Sequence, residues 1–162
     1  MDALTTTLAR LSRHAQLCAE SLSAVAAAAS DPQMRAVLAH RANMQCCAAA
    51  ELAVRAGATI GESQGPGPHA RSNVPPPTHV APPADAGELL LLRHAAQQAG
   101  RAASAYGALL REPIDDADLR LLLAHYYRGA TELQRMLEAR VAEFSPARTH
   151  GMAPRRASSP MH

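Results

Sequence analysis

Apolar residues recur at alternating spacings of four and three near the start of the chain. This spacing places one row of side chains on a single face of an α-helix for about seven turns. It predicts a helix over residues 3–29, which needs other helices to bury its apolar row. The row consists of Leu4, Leu8, Leu11, Ala15, Cys18, Leu22, Val25 and Ala29.

A second helix is predicted over residues 32–56, directly after the first. Asp31 is a candidate N-cap, and Pro32 suits the first helical position because its missing N–H is not needed there. Gly57 is expected to end this helix in the left-handed conformation that glycine adopts readily. Because the link is so short, the first two helices should form an antiparallel hairpin.

The apolar row of the second helix is less regular than that of the first. Arg41 and Gln45 lie on the same line as its apolar residues. These two side chains either reach past the row into solvent or form a polar layer inside the bundle, and the first alternative is favoured. The apolar members of the row are Met34, Leu38, Ala48 and Leu52.

The composition changes over residues 58–84, where Pro and Gly are frequent and exclude a regular helix. In polyproline geometry, at about 3.1 Å per residue, this segment is long enough to follow a whole bundle. It either crosses the bundle from end to end or loops at one end, and the sequence fits both arrangements.

A third helix is predicted over residues 86–112, with Asp85 and Glu88 as a capping box in which Asp replaces the usual Ser or Thr. Pro113 follows its end. Its apolar row again has the three–four spacing of an amphipathic helix. The row consists of Leu89, Leu92, Ala96, Ala99, Ala103, Tyr106 and Leu110.

A fourth helix is predicted over residues 116–144, with Asp115 or Asp116 as its N-cap. The remaining residues 147–162 have the composition of a disordered tail. The row predicted to face the interior consists of Leu119, Leu122, Tyr126, Ala130, Leu133, Leu137, Arg140 and Phe144.

The composition agrees with this arrangement of helices. Hydrophobic residues make up 48% of the 162 residues, but aromatic residues only 2%. A core of small side chains favours helices that pack closely and disfavours a β-sheet. The sequence therefore predicts an all-α fold, an antiparallel four-helix bundle that forms one domain over residues 1–146. All 16 basic residues are Arg, a bias typical of a GC-rich bacterial genome.

Several short motifs follow one another from the second helix into the connection. They are Asp31-Pro32, Arg41, Ala50-Glu51-Leu52 leading to Gly57, then Gly61, Ser63 and Gly65, and finally His69-Ala70-Arg71. In these motifs the chain resembles a family of small bacterial ferritin-like four-helix-bundle proteins of unknown function, often described as stress-associated. The resemblance implies a ferritin-like fold with its long connection between the second and third helices. It also implies a bacterial, stress-related context.

A ferritin-like fold raises the question of a di-iron centre. Such a centre needs a Glu on two helices and a Glu-x-x-His motif on the other two. The sequence contains no Glu-x-x-His, and we predict no catalytic residue, no cofactor and no metal site. The only candidate ligands are His125 and Glu132, seven positions apart on one face of the fourth helix.

Each predicted helix carries one histidine, which invites the hypothesis of a shared metal site. The first two of these histidines lie at heights in their hairpin that match only in part. We therefore interpret the four as residues at the flanks of the bundle. They are His14, His40, His94 and His125.

The three cysteines, Cys18, Cys46 and Cys47, form an odd set with one adjacent pair. Side chains of adjacent helical residues diverge by about 100°, so Cys46 and Cys47 cannot easily share a metal ion. We predict that all three are reduced, small buried side chains in a cytoplasmic protein. A net charge of +2 argues against nucleic-acid binding, and no segment has the length of a membrane span.

Two doubled apolar positions, Leu90-Leu91 and Leu121-Leu123, lie outside one narrow row and predict a homodimer. The sequence thus favours a non-enzymatic helical bundle with an interaction or stress-related role. The first alternative is a metal-binding oxidoreductase or metal-storage bundle of the di-iron type. The second is a helical adaptor that forms oligomers.

Overall fold

In the computed structural model, residues 3–59, 81–83 and 86–144 are described, and they form four α-helices and no strand. The prediction of an all-α fold is confirmed. The tail predicted over residues 147–162 and most of the connection predicted over residues 58–84 lie outside the described residues. The helices are α1 (Ala3–Ala28), α2 (Pro32–Thr59), α3 (Glu88–Leu110) and α4 (Ala117–Glu143).

Two apolar clusters at opposite ends of the bundle show the directions of the helices. One cluster joins the second half of α1, the first halves of α2 and α3, and the second half of α4. The other cluster joins the opposite halves of the same four helices. Hence α1 runs antiparallel to α2 and α3 but parallel to α4. Close packing joins α1 to α2, α1 to α3, and α3 to α4.

The end of α2 and the start of α3 lie at opposite ends of the bundle, because these two helices are parallel. With 28 residues, α2 is about 42 Å long at the helical rise of 1.5 Å per residue. The two arrangements that the sequence left open, a crossover from end to end or a loop at one end, concern residues that lie mostly outside the described ones. The conformation of residues 60–80 lies outside the described residues.

The apolar row predicted for α1 is confirmed, since every member is buried except Leu4, which is half-buried. Thr5, Ala19 and Ala26 are buried beside this row. The buried face is wider than one narrow row because α1 packs against α2 on one side and α3 on the other.

The start of α2 is as predicted, but its end is not. The backbone N–H of Gln33 donates to Asp31 Oδ1 at 3.0 Å, so Asp31 is the N-cap and Pro32 is the first helical residue. The prediction that Gly57 ends the helix near residue 56 is wrong, because α2 continues through Gly57 to Thr59. Buried Ala56 packs in the apolar cluster at this end, and tertiary packing of this kind outweighs the weak helical propensity of one glycine.

For Arg41 and Gln45 the sequence left two alternatives, side chains that reach into solvent or a polar layer inside the bundle. Neither alternative holds for both residues. Both side chains are half-buried. Gln45 Oε1 is out of contact with solvent and has no hydrogen-bond partner among the described residues. The polar interruption of the α2 row therefore lies at the edge of the core.

The capping box predicted for α3 is wrong. The N-cap is Gly87, in an extended conformation and without a side-chain hydrogen bond, and Glu88 is the first helical residue. The N–H of Ala86 donates to the carbonyl of Pro83 at 2.9 Å, so the chain forms a turn where the prediction began the helix. Asp85 lies outside the described residues.

The predicted row of α3 is buried from Leu92 to Tyr106, but the buried face is again wider. Residues on a second line are buried as well, and the face towards α4 carries two glycines, Gly100 and Gly107. A Cβ at Gly107 would lie 3.2 Å from the Tyr127 ring, so this glycine allows α3 and α4 to approach closely. The second line consists of Leu91, Ala95, Gln98, Ala102 and Leu109.

Helix α4 confirms one of the two predicted caps. Asp116 is its N-cap, while Asp115 makes no cap bond. Leu123, rather than the predicted Leu122, is fully buried, and Phe144 at the end of the predicted row is exposed.

Replacing Asp116 with Ala is expected to lower the free energy of unfolding by about 1 kcal/mol. Its Oδ1 accepts from the N–H groups of Asp118 at 3.0 Å and Leu119 at 3.1 Å, and the substitution leaves both donors without a partner in the protein. Urea unfolding measures the difference. Asp115→Ala is the matched control and should change little, so an equal loss in both variants would contradict the cap assignment.

Candidate functional site

The middle of the bundle is filled by small side chains and two tyrosines. Ala15, Ala48 and Ala49 form a buried cluster between α1 and α2, and Tyr126 of α4 packs against it. Tyr106 of α3 is 1% exposed, and its ring centroid lies 5.9 Å from that of Tyr126. The two tyrosines thus occupy space that the alanines leave between the helices.

The hydroxyl groups of these tyrosines differ in their partners. Tyr126 donates to Glu51 Oε2 at 2.7 Å and so links α4 to α2. The hydroxyl of Tyr106 is buried with no hydrogen-bond partner among the described residues. Burial raises the pKa of Tyr126, and the hydrogen bond to Glu51 raises it further. Burial likewise raises the pKa of Tyr106, with a smaller contribution from Cys18.

Cys18 is the one cysteine that the structure places in the core, on the interior face of α1. Burial raises the pKa of its thiol from 9.0 to about 12. A thiol in this environment stays protonated at neutral pH and is a poor nucleophile. Cys18 is therefore a packing residue, as predicted.

Stability should fall as the pH rises from 9 to 12. In this range the Cys18 thiol is ionised in the unfolded chain but still protonated in the folded one, since burial raises its pKa from 9.0 to about 12. The folded state then binds more protons, so the free energy of unfolding decreases with pH. The chain has no Lys, so no ammonium side chain titrates in this range. Urea unfolding should show a shallower pH dependence for Cys18→Ala, and an unchanged slope would contradict the burial effect.

The four histidines lie on four different helices and are either exposed or half-buried. Burial lowers the pKa of His14, and the positive charges of Arg101 and Arg10 lower it further. Within residues 3–59, 81–83 and 86–144, no three His, Cys, Asp or Glu side chains are grouped so that they could hold a metal ion.

His125 and Glu132, the candidate metal ligands, are both exposed on α4. The His125 ring lies beside Tyr126, with its centroid 5.9 Å from that of the tyrosine ring. Both residues therefore lie at the bundle surface, and metal binding by this pair stays a prediction.

The prediction that Cys46 and Cys47 are buried is wrong, since both thiols are exposed. Successive residues of a helix point about 100° apart, and neither of the two positions lies on the buried side of α2. Cys46 lies by a shallow groove between α1 and α2, together with Arg13 and Gln16 of α1. The two adjacent thiols thus occupy different surfaces.

A cavity of about 770 Å³ lies between the start of α1 and the link from α3 to α4. Apolar side chains such as Leu4 and Ile114 share its wall with the charged side chains of Arg10 and Glu112. Asp116 also lines the cavity, but its carboxylate caps α4. None of the unpaired buried polar atoms of the described residues belongs to a wall residue, so nothing in this cavity specifies a ligand.

The solvent side of α2 carries three of the seven exposed large apolar side chains among the described residues. Val37 is 38% exposed, Met44 is 42% exposed and Val54 is 69% exposed. Our sequence interpretation missed these residues because it followed a single apolar row on α2, the one that contains Leu38 and Leu52. A second three–four repeat in the α2 sequence is the signal that could have revealed them.

The doubled apolar positions on α3 and α4 divide between surface and core. Leu90 is 51% exposed and Leu121 is 71% exposed. Their partners Leu91 and Leu123 are buried in the two apolar clusters. Each pair therefore contributes one surface leucine, whereas α2 contributes three exposed apolar side chains.

Comparisons of the chain with protein-family models, with curated proteins and with solved structures find no match. Among the helices described above, none is both long and apolar enough to cross a membrane.

Proposed function

We propose that this protein is a non-enzymatic helical bundle that acts by binding protein surfaces, including that of a second copy of itself. The observation that carries the proposal is the row of exposed apolar side chains on α2, with Val37, Met44 and Val54 among its members. Apolar side chains clustered on one exposed helix face are typical of a surface that a partner covers.

We also propose that the bundle is ferritin-like. The support is its connectivity, in which α2 and α3 run parallel and one long connection joins them. Ferritin-like folds use one such crossover. The bacterial, cytoplasmic and stress-related parts of the proposal depend on the sequence motifs that resemble the stress-associated family.

Light scattering during size-exclusion chromatography tests the proposed self-association. We expect the average mass to rise from one chain towards two as the protein concentration increases. A mass of one chain at every concentration would contradict self-association. Elemental analysis of the dialysed protein is the companion measurement, because stoichiometric iron, manganese or zinc would favour the di-iron alternative. In that case His125→Ala and Glu132→Ala should reduce the bound metal.

A further inference from the structure

The exposed side of α2 carries a second row of residues with alternating spacings of three and four. All six side chains are exposed. This row is separate from the buried row of α2 that contains Leu38 and Leu52. A three–four repeat on a helix surface is the pattern by which one helix packs against another. The outer row, as we call it, consists of Val37, His40, Met44, Cys47, Glu51 and Val54.

The outer row is complementary to itself when it is read in the opposite direction. An antiparallel copy, aligned on the midpoint between Met44 and Cys47, places these two residues opposite each other. The same alignment brings Val37 opposite Val54 at both ends. His40 then lies opposite Glu51, a cation-capable side chain facing a carboxylate. The row thus has the symmetry of an interface in which both subunits use the same patch.

We propose that a second copy of this chain packs antiparallel on the outer row of α2, with a two-fold axis between Met44 and Cys47. This proposal rests on the proposed self-association and assigns its surface. His40 faces Glu51 of the partner subunit, and two layers of Met44 and Cys47 form the centre.

The charges favour this direction of pairing over a parallel one. In a parallel pair Glu51 would lie opposite the partner's Glu51, and like charges that face each other are destabilising. In the antiparallel pair Glu51 keeps its hydrogen bond from Tyr126 at 2.7 Å and still has acceptor positions left for His40.

The side chains that flank the outer row also suit a close approach. On one flank lie Ala36, Asn43 and Ala50, which are exposed and uncharged. On the other flank lies Arg55, whose Nη2 is 3.7 Å from Glu51 Oε1, so its charge is partly balanced within the same chain.

The adjacent cysteines provide a matched cross-linking experiment. In the proposed dimer the Cys47 residues of the two subunits lie in neighbouring layers on either side of the two-fold axis. Packed helix axes are about 10 Å apart, so a bismaleimide of about this span can join the two thiols. Cys46 lies instead by the groove between α1 and α2. We expect Cys46→Ala, which retains Cys47, to give the covalent dimer. Cys47→Ala, which retains Cys46, should give almost none, and equal cross-linking in both variants would overturn the proposal.

A substitution that changes the charge of the outer row tests the same interface without a cross-linking reagent. His40→Glu places two carboxylates opposite each other and should weaken the dimer about tenfold or more, as measured by the concentration dependence of the mass. Leu121→Glu changes an exposed position on α4 and is the control, with no expected effect. His40 is exposed, so the variant should fold, which circular dichroism verifies.

The outcomes separate this proposal from the proposed function. A dimer that is insensitive to His40→Glu and does not cross-link through Cys47 would overturn the α2 interface and leave self-association intact. A single-chain mass at all concentrations would contradict both. In that monomer, slow alkylation of Cys47 relative to Cys46 would assign the outer row to another part of the same chain.

Discussion

Replacing Tyr106 with Ala is expected to lower the free energy of unfolding by about 3–5 kcal/mol, the usual range for a large aromatic residue in a core. The side chain is 1% exposed and belongs to the cluster that joins α1, α2, α3 and α4 at one end of the bundle. With only 2% aromatic residues in the chain, few other side chains could fill the resulting cavity. Urea unfolding, followed by circular dichroism, measures the loss.

Tyr106→Phe distinguishes the contribution of the ring to the free energy of unfolding from that of the hydroxyl. Because the hydroxyl is buried without a partner among the described residues, its removal should leave the free energy of unfolding unchanged or raise it by up to about 1 kcal/mol. Tyr126→Phe is the comparison, since it removes a 2.7 Å hydrogen bond to Glu51 and should be destabilising. A loss in Tyr106→Phe as large as that in Tyr106→Ala would show that the hydroxyl, not the ring, stabilises the core.

The second large effect is expected from Ala15→Leu, which should lower the free energy of unfolding by about 1–3 kcal/mol. Ala15 is completely buried and lies against Ala48 and Ala49 of α2. The Ser12 hydroxyl donates to the carbonyl of Ala49 at 2.7 Å, so the backbones of the two helices are close at this height. Three additional carbon atoms can be placed there only if α1 and α2 move apart.

Ala50→Leu is the matched control for this overpacking. Ala50 is exposed on α2, one position after Ala49, and a larger side chain there does not enter the buried cluster of Ala15, Ala48 and Ala49. Its free energy of unfolding should stay within about 0.5 kcal/mol of the unmodified protein. Equal stability of both variants in urea unfolding would mean that the space between α1 and α2 is not closely packed.

Local chemistry explains which features of the fold were predictable. The row of α1 was identified because its spacing repeats without interruption over the whole helix. Asp31 was identifiable as an N-cap, and Asp116 as one of two candidates. The reason is that a carboxylate at the N-cap accepts hydrogen bonds from backbone N–H groups two or three residues further on. Both signals depend only on neighbours in sequence.

The errors occurred where distant residues decide the structure. Gly57 has the sequence signal of a helix end, yet packing of Ala56 in the core continues α2 beyond it. For α3 the capping pattern at Glu88 was present, but the turn that joins Ala86 to Pro83 moves the start of the helix. Propensity at a helix terminus is worth about 1 kcal/mol, which a few packed side chains exceed.

The candidate site was less predictable than the fold. Our sequence interpretation placed both doubled positions, Leu90-Leu91 and Leu121-Leu123, outside the apolar rows as leftover apolar surface. This is wrong for Leu91 and Leu123, which are buried. The same interpretation placed Cys46 and Cys47 in the core, where the structure shows neither. In both cases the error is in the orientation of a helix about its own axis, which periodicity does not specify.

The sequence by itself determined that this chain forms four amphipathic helices and that the first two form an antiparallel hairpin. It also gave Asp31 as the cap of α2 and narrowed the cap of α4 to Asp115 or Asp116. Only the tertiary structure decided that α2 and α3 run parallel, and only it revealed that α2 carries a second row with the same period on its exposed side. The physical reason is that a repeat in sequence gives the width and period of an apolar face but not its partner. On α2 both rows have a helical period, and packing against α1 and the rest of the core selects the one that contains Leu38 and Leu52.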